Sequence, residues 1–472
     1  MKSALVVAAT AALSVATAYA QPSNGEAQFR ALYQELIETN TSLSAGSCTL
    51  AAERMAAHLK AAGFADADLH PFSVPEHPKE GGLVAIYPGR DPKLKAILLL
   101  AHLDVVEAKR ADWTRDPFKL VEENGNFYAR GAVDDKAEAS IWVDTLVRYR
   151  EEKFRPLRTI KLALTCGEET SGAFNGAQWL SEHQRDLIDA AFAINEGANG
   201  ELDANGHRLI LEVQAGEKTS QNFRLEVTNP GGHSSRPVKN NAIYHLAGAL
   251  KAIEAYEFPA QFTDGNRAYF TGMAKIEATK GESDVAAAMN ALVRDPTDAK
   301  SIALVSSKDP SWNATLRTTC VATMLDAGHA TNALPQRARA NINCRIFPGV
   351  SAESARGELE RVIADPEVKV TTLETRGPSS PPPPLTPALL KPIERLTAQF
   401  WPGVPVVPIL QPGATDGEFL NAAGIPTYGF EPVFLGPDLG NIHGLNEYVN
   451  VKSLLEGRDF LYRLVKIYAE QK

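Results

Sequence analysis

The chain has 472 residues, 44% of them hydrophobic and 22% charged, which are ordinary globular values at a length suited to two or three domains. Its 48 Lys and Arg stand against 57 Asp and Glu, for a net charge of −9. With no basic block, nucleic acid and anionic lipid are excluded as partners that charge alone would recruit, and a small-molecule or peptide substrate fits better.

Taken in chain order, residues 1–20 hold one basic residue, Lys2, an apolar run from Ala4 to Ala18 and a small-x-small end at Ala18-Tyr19-Ala20. That is the pattern of a cleaved signal peptide, and it predicts export to a periplasmic or secreted location. A single-span anchor is the rival reading, but the run is short for a bilayer and no stop-transfer segment follows. The runs Lys95 to Ala101, Thr159 to Thr165 and Ala190 to Asn195 are nearly continuous in apolar residues, as strands buried on both faces require. Lys136 to Glu152 and Gly176 to Ile188 have the apolar spacing of covering helices. Together they predict an α/β domain of three layers around a mainly parallel sheet.

The texture changes near Gly216. Asn222 to Thr228 and Arg337 to Phe347 alternate like half-exposed strands, while Asn241 to Ile253 and Ala352 to Ala364 read as helices. An inserted α+β domain is expected over residues 217–375, with the first domain formed from 21–216 and 376–472. The segment Phe258 to Pro310 carries no clear pattern and is assigned to the insert. Arg376 to Pro387 reads as a proline-rich connector, and Ser453 to Glu470 as a closing amphipathic helix.

His102 and Asp104, the pair Glu168 and Glu169, and Glu196 each stand just past the C-terminal end of one apolar run, the edge where parallel sheets bind ligands. Asp134 and Asp135 begin the helix after the first run. So many carboxylates around an imidazole repel one another unless cations neutralise them, so the cluster points to metal. Any one of these residues alone reads as a solvated turn or an acidic surface pair. In one arrangement His102 gives one ring nitrogen to metal while the Asp104 carboxylate holds the other. The chain has no H-E-x-x-H, no G-x-S-x-G and no G-x-x-x-x-G-K-[ST]. Cys166 beside Glu168 is better read as a core thiol than as a nucleophile. An oxidising compartment permits a Cys320–Cys344 bridge, but buried free thiols are the plainer expectation for the four cysteines.

The segments AHLDVV, RGAVDDK, TCGEETSG, INEGA, NPGGHSSRP, ATNALPQRARANINCRIFPG and GATDGEF…NIHGLNEYV, in this order and spacing, resemble the zinc metallopeptidase family of aminoacylase, acetylornithine deacetylase, succinyl-diaminopimelate desuccinylase and glutamate carboxypeptidase. The resemblance implies a zinc-exopeptidase-like catalytic domain with an inserted lid or dimerisation domain. It implies two zinc ions per site, with cobalt or manganese as substitutes. His102 and Glu196 would hold one and Glu169 and His443 the other, with Asp134 bridging and a cis peptide at Asp134-Asp135. Glu168 is then the general base and Asp104 the partner of His102; the alternative is Glu168 as a further ligand. His233 would stabilise the oxyanion, Arg345 and Asn332 would contact substrate, and the Gly413 to Thr415 loop would grip a carboxylate through its N–H groups, although relatives often carry more Gly and Ser there.

The expected reaction is therefore cleavage of an amide next to a free carboxylate. A short peptide is the first substrate, as for a carboxypeptidase or dipeptidase, and an N-acyl amino acid the alternative. An aminopeptidase and a catalytically silent binding protein on the same fold are the rivals. A homodimer through the insert is expected alongside a self-sufficient monomer.

Overall fold

A computed structural model describes residues 25–170, 174–373 and 377–472. The expected signal peptide and the first residue of the connector, Arg376, lie outside them. Among the described residues no helix is long and apolar enough to cross a membrane.

Strand Ile97–His102 lies at the centre of a ten-stranded sheet, flanked in parallel register by Ile160–Thr165 and Phe192–Asn195. Thr427–Gly429 continues the parallel array beyond Phe192–Asn195, and antiparallel Leu69–Val74 and His77–Tyr87 close the other edge. All six residues of Ile97–His102 are buried, because both faces of the sheet are covered. Alternate residues serve opposite faces. Ile97, Leu99 and Ala101 pack with helices Glu26–Glu38, Cys48–Ala61, Lys136–Glu151 and Val451–Ala469, while Leu98 and Leu100 meet Gly176–His183 and Gly417–Ala422. The run Gly176 to Ile188 is two helices, Gly176–His183 and Arg185–Ile188, broken at Gln184. Arg458 of the last helix, fully buried, pairs with Asp144 of Lys136–Glu151 at 2.8 and 3.1 Å, so the charge is matched where water cannot reach it.

The second sheet has the order Thr319–Ala327, Arg337–Ile346, Thr219–Thr228, Lys369–Thr372, all antiparallel. Alternation in Phe223, Leu225 and Val227, opposite Ala340 and Ile342, supplies one apolar face, covered by Ala242–Ala255 and Ala352–Ile363. The segment Phe258 to Pro310 does not enlarge this sheet. It forms Asp264–Thr279, Ser283–Arg294, Ala299–Lys308 and the start of Pro310–Leu316, whose apolar sides bury Ile210, Val407 and Ile409 of the large sheet. The chain thus returns to the first unit and crosses again before Thr319. Buried Lys218 ties the two crossings together: its ammonium donates to the carbonyls of Ala314 and Arg317 and to Thr319 Oγ1 at 2.8–3.0 Å.

The expectation of free thiols is overturned. Cys320 and Cys344 face each other across the antiparallel pair and are bonded, and Cys48 is bonded to Cys166 across a sequence separation of 118.

Candidate metal centre

His102 is the last residue of its strand, Glu168 and Glu169 follow strand Ile160–Thr165, and Glu196 directly follows Phe192–Asn195. Adjacent parallel strands therefore deliver all four to one edge. Asp134 arrives on the turn before Lys136–Glu151, across a cis Asp134-Asp135 peptide. Asp135 turns back, accepting the His102 N–H at 3.0 Å. His443 comes from a loop 274 residues after Glu169.

Asp134 stands between two imidazoles. Its Oδ1 is 3.0 Å from His102 Nε2 and its Oδ2 is 3.0 Å from His443 Nε2. On the first side Glu196 Oε1 lies 3.7 Å from His102 Nε2; on the second Glu169 Oε1 lies 2.9 Å from His443 Nε2. The geometry thus sorts the residues into His102 with Glu196 and His443 with Glu169, with Asp134 shared. The His102 side chain is 1% exposed and that of His443 53%, so the second pair faces the solvent side.

The electrostatics are those of acids and imidazoles crowded at one edge. Burial opposes charge on His102, but the nearby carboxylates of Asp104 and Asp134 and the field of Glu196 raise its pKa well above the usual value. His443 is pushed up to about 10 by its bonds to Asp134 and Glu169. Burial raises Glu196 well above the carboxylate range and, together with the charge of Asp134, raises Glu169. Protons crowd where a divalent cation would relieve the same repulsion. Donor atoms of His102, Asp134 and Glu169, and of His102, Glu168 and Glu196, lie within 4.8 Å of one another. Imidazole and carboxylate donors at that spacing fit zinc and its borderline neighbours. Buried Glu168 stands within reach of His102 and Glu196, a position open both to a base and to a ligand.

Asp104 departs from the expected arrangement. His102 Nδ1 meets the backbone carbonyl of Asp104 at 3.0 Å, while the carboxylate is 3.6 Å away. That carboxylate instead accepts the N–H groups of Glu168 and Glu169, at 3.4 and 3.0 Å. It holds the loop of the two glutamates as well as neighbouring the imidazole.

Three supports went unseen in the sequence. Glu447 accepts the N–H groups of Gly131, Val133 and Asp134 and pairs with Arg130 at 2.6 Å, and Arg130 also donates to the Gly444 carbonyl. This one buried pair fixes both the Asp134 turn and the His443 loop. Asp416 accepts from Thr165 Oγ1 and Asn175 Nδ2 at the base of the glutamate loop. Glu217 accepts both the N–H and the hydroxyl of Thr415, at 2.8 and 3.0 Å. The Thr415 N–H and hydroxyl are therefore both engaged by Glu217; Gly413, half-buried two residues earlier, is not part of that contact. Nothing local marks these three acids, since each meets residues remote in sequence.

His233 and Asn332 are exposed and joined to each other through the two-stranded ladder Gly232–His233 with Ala333–Leu334, where Ser234 N–H donates to the Asn332 carbonyl at 3.1 Å. His233 Nδ1 takes the Ser235 hydroxyl at 2.8 Å. The described hydrogen bonds and ion pairs do not link them to the cluster. Arg345 is half-buried in strand Arg337–Ile346, opposite Ser220 and Thr319 at the junction of the two units.

Residues 98–467 match the model of peptidase family M20/M25/M40. The chain is 30% identical over 385 residues to the human N-fatty-acyl-amino acid synthase/hydrolase PM20D1, covering 80% of this chain and 75% of that one. It is 29% identical over 392 residues to the probable carboxypeptidase S-like 2 of Dictyostelium discoideum, covering 81% and 74%. Among solved structures it is similar to an M20 family metallo-carboxypeptidase of Sulfolobus solfataricus, with TM-score 0.67, 17% identity and coverage of 94% and 99%. It is also similar to a dinuclear metal-binding M20 peptidase of Bacillus subtilis, with TM-score 0.59, 12% identity and coverage of 93% and 97%.

Proposed function

The chain is a metallohydrolase of peptidase family M20/M25/M40, and from that premise we propose that it is an exported di-zinc enzyme that cleaves an amide bond whose nitrogen side carries a free carboxylate. The observation that carries this reading is Asp134, one oxygen on each of two imidazoles, with a carboxylate beside each imidazole. His102, Glu196 and Asp134 would hold one ion, and His443, Glu169 and Asp134 the other. Two zinc ions, when bound, supply Lewis acidity toward a water and a scissile carbonyl.

The rest of the chemistry belongs to this chain. Glu168, held by its own N–H on Asp104, takes the proton from the attacking water and returns it to the leaving nitrogen. Its burial keeps that proton from exchanging freely with solvent. Arg345 offers a fork of donors to the substrate carboxylate, and His233 and Asn332 approach the reacting group from the insert. The exposed positions of His233 and Asn332 suit closure of the insert or pairing of two copies.

Of the two substrate classes, N-acyl amino acids move ahead of short peptides. The sequence favoured peptides on the ground of export alone. Against that stands the similarity to N-fatty-acyl-amino acid synthase/hydrolases, and Leu439 and Leu445, which flank His443 in the chain, are exposed apolar side chains available to an acyl group. The test is a hydrolysis screen of N-acyl amino acids from acetyl to lauroyl against unblocked dipeptides, each with free and amidated C-termini. Turnover confined to free-carboxylate substrates is expected, highest for the acylated set. Equal turnover of amidated substrates overturns the carboxylate requirement, and preference for dipeptides restores the peptidase reading.

A further inference from the structure

We propose that the Cys48–Cys166 disulfide is a positioning clamp for the loop that carries Glu168, so that turnover number, rather than substrate binding, depends on its being closed. The inference rests on Glu168 acting as the base.

Cys166 is the first residue after strand Ile160–Thr165, two positions before Glu168. Its carbonyl accepts the Gly176 N–H at 2.7 Å, and Gly167 turns at φ +96° so close to Phe174 that an added Cβ would lie 1.8 Å from the Phe174 carbonyl oxygen. The loop therefore leaves the strand through a turn packed against the Phe174 backbone on one side. The other side is held by the disulfide. Both sulfurs lie within 4.8 Å of a carboxylate oxygen of Asp104, the group that accepts the N–H bonds of Glu168 and Glu169. The covalent bond thus backs the same carboxylate that aims the loop.

The far end of the bond is rigid. Cys48 opens helix Cys48–Ala61, whose Ser47 cap accepts the Leu50 N–H at 3.2 Å. Thr49 next to it donates to the Pro78 carbonyl and accepts the Gly81 N–H, at 2.8 and 2.9 Å, which fastens the helix start to strand His77–Tyr87. Cys48 precedes residues 98–467, the span matched by the family model, so the clamp joins an element outside that span to the catalytic edge.

A staple for the fold alone would need no such address. A cavity of about 190 Å³, lined by Ser42, Ser47, Pro78, Asp104 and Thr170 among others, lies against the two cysteines, which are themselves 2% and 3% exposed. Without the bond, the Cys166 end of the loop has this space to relax into. A displacement of the base by a fraction of an ångström lowers the rate of proton transfer while leaving the groups that bind substrate in place.

The experiment compares the zinc-loaded wild-type chain, C48A/C166A and E168Q on the fastest substrate of the hydrolysis screen, with zinc content measured for each. For C48A/C166A a fall in kcat of about tenfold is expected, with KM within about twofold and zinc unchanged. Wild-type kcat in C48A/C166A overturns the clamp, and so does a loss confined to KM or to zinc. E168Q with wild-type kcat instead overturns the base on which the clamp rests.

Should C48A/C166A not fold, a C320A/C344A protein is assayed against itself before reduction by a phosphine, after reduction, and after reoxidation. Reversible loss of kcat with unchanged far-ultraviolet circular dichroism supports the clamp. Unchanged kcat with two free thiols titrated per chain overturns it, and so does loss of dichroism in step with activity, which makes the bond a staple of the fold.

Discussion

His443 and Glu169 are 274 residues apart in the chain, and their side chains meet at 2.9 Å. The contact joins a loop near the C-terminus to the end of a strand in the first half, with Asp134 3.0 Å from the same imidazole nitrogen. The bonds to these two carboxylates push His443 up to about 10, and His102 is raised as well, so without metal both rings hold a proton more tightly than a free imidazole does. Zinc, bound as proposed, would take the same lone pairs. Titrating zinc into metal-free protein at pH 7.5 in two buffers of different ionisation enthalpy should reveal release of more than about one proton as the site fills. His443→Ala should lower bound zinc from about two equivalents to about one. Buffer-independent heats would show that the imidazoles are not displaced from protons by metal.

Glu168→Gln keeps the size of the side chain and removes its basicity. The expected result is a fall in kcat by about two to four orders of magnitude with zinc content intact. Loss of one zinc equivalent in parallel with activity would make Glu168 a ligand instead.

The elements that carry the centre were legible because they obey local rules. Ile97–His102, Ile160–Thr165 and Phe192–Asn195 are short apolar runs whose ends fix where His102, Glu168, Glu169 and Glu196 emerge, so strand ends in sequence became neighbours in space. His443 was different: no period leads to it, and only the likeness of NIHGLNEYV to a known family singled it out. Glu447, four residues on, stayed hidden although it holds both the Asp134 turn and, through Arg130, the His443 loop. Its partners are more than 300 residues away, and spacing along a chain carries no record of such contacts. The same holds for Cys48 with Cys166. The helices after Phe258 were missed for another reason: apolar periodicity shows that a face is buried but not which sheet buries it, and here Ile210, Val407 and Ile409 of the large sheet do.

Glu217 gives a pH dependence that lies in the fold and not in the metal donors. Burial pushes its carboxyl up to about 7, from an ordinary value of 4.5. Between those values the folded chain keeps a proton that the unfolded chain has lost, so stability falls as pH rises through this window and levels off above it. The contribution is about 3 kcal/mol at most. Glu217→Gln retains an oxygen for Thr415 and removes the titration, so its denaturant midpoint should change less between pH 5 and pH 8 than that of the wild type. Parallel pH profiles for the two proteins would show that Glu217 is not the group responsible.

Arg345→Met tests the carboxylate grip. A charge-assisted fork contributes about 1.5–3 kcal/mol, so KM for a free-carboxylate substrate should rise about 10- to 100-fold, with a smaller change for the amidated analogue. Equal changes for both would confine Arg345 to a structural role at the junction of the two units, beside Lys218.

The insert's free edge leads to the last expectation. Strand Thr319–Ala327 ends the four-stranded order, and Val321, Met324 and Leu325 on it are 59%, 72% and 66% exposed. An apolar edge strand is a template for a second chain, and exposed His233 belongs to the same inserted unit. If two copies pair at this edge, replacing Met324 and Leu325 by Lys should leave only monomer in sedimentation velocity, with loss of turnover if His233 acts across the pair. The sharper measurement mixes two inactive proteins, H233A and H443A, under conditions of subunit exchange. In a mixed pair, one site has its own His443 and a partner's intact His233, so about a quarter of wild-type activity should return. No recovery after exchange, confirmed with differently tagged chains, would mean that each copy uses its own His233, brought to the centre by closure of the insert.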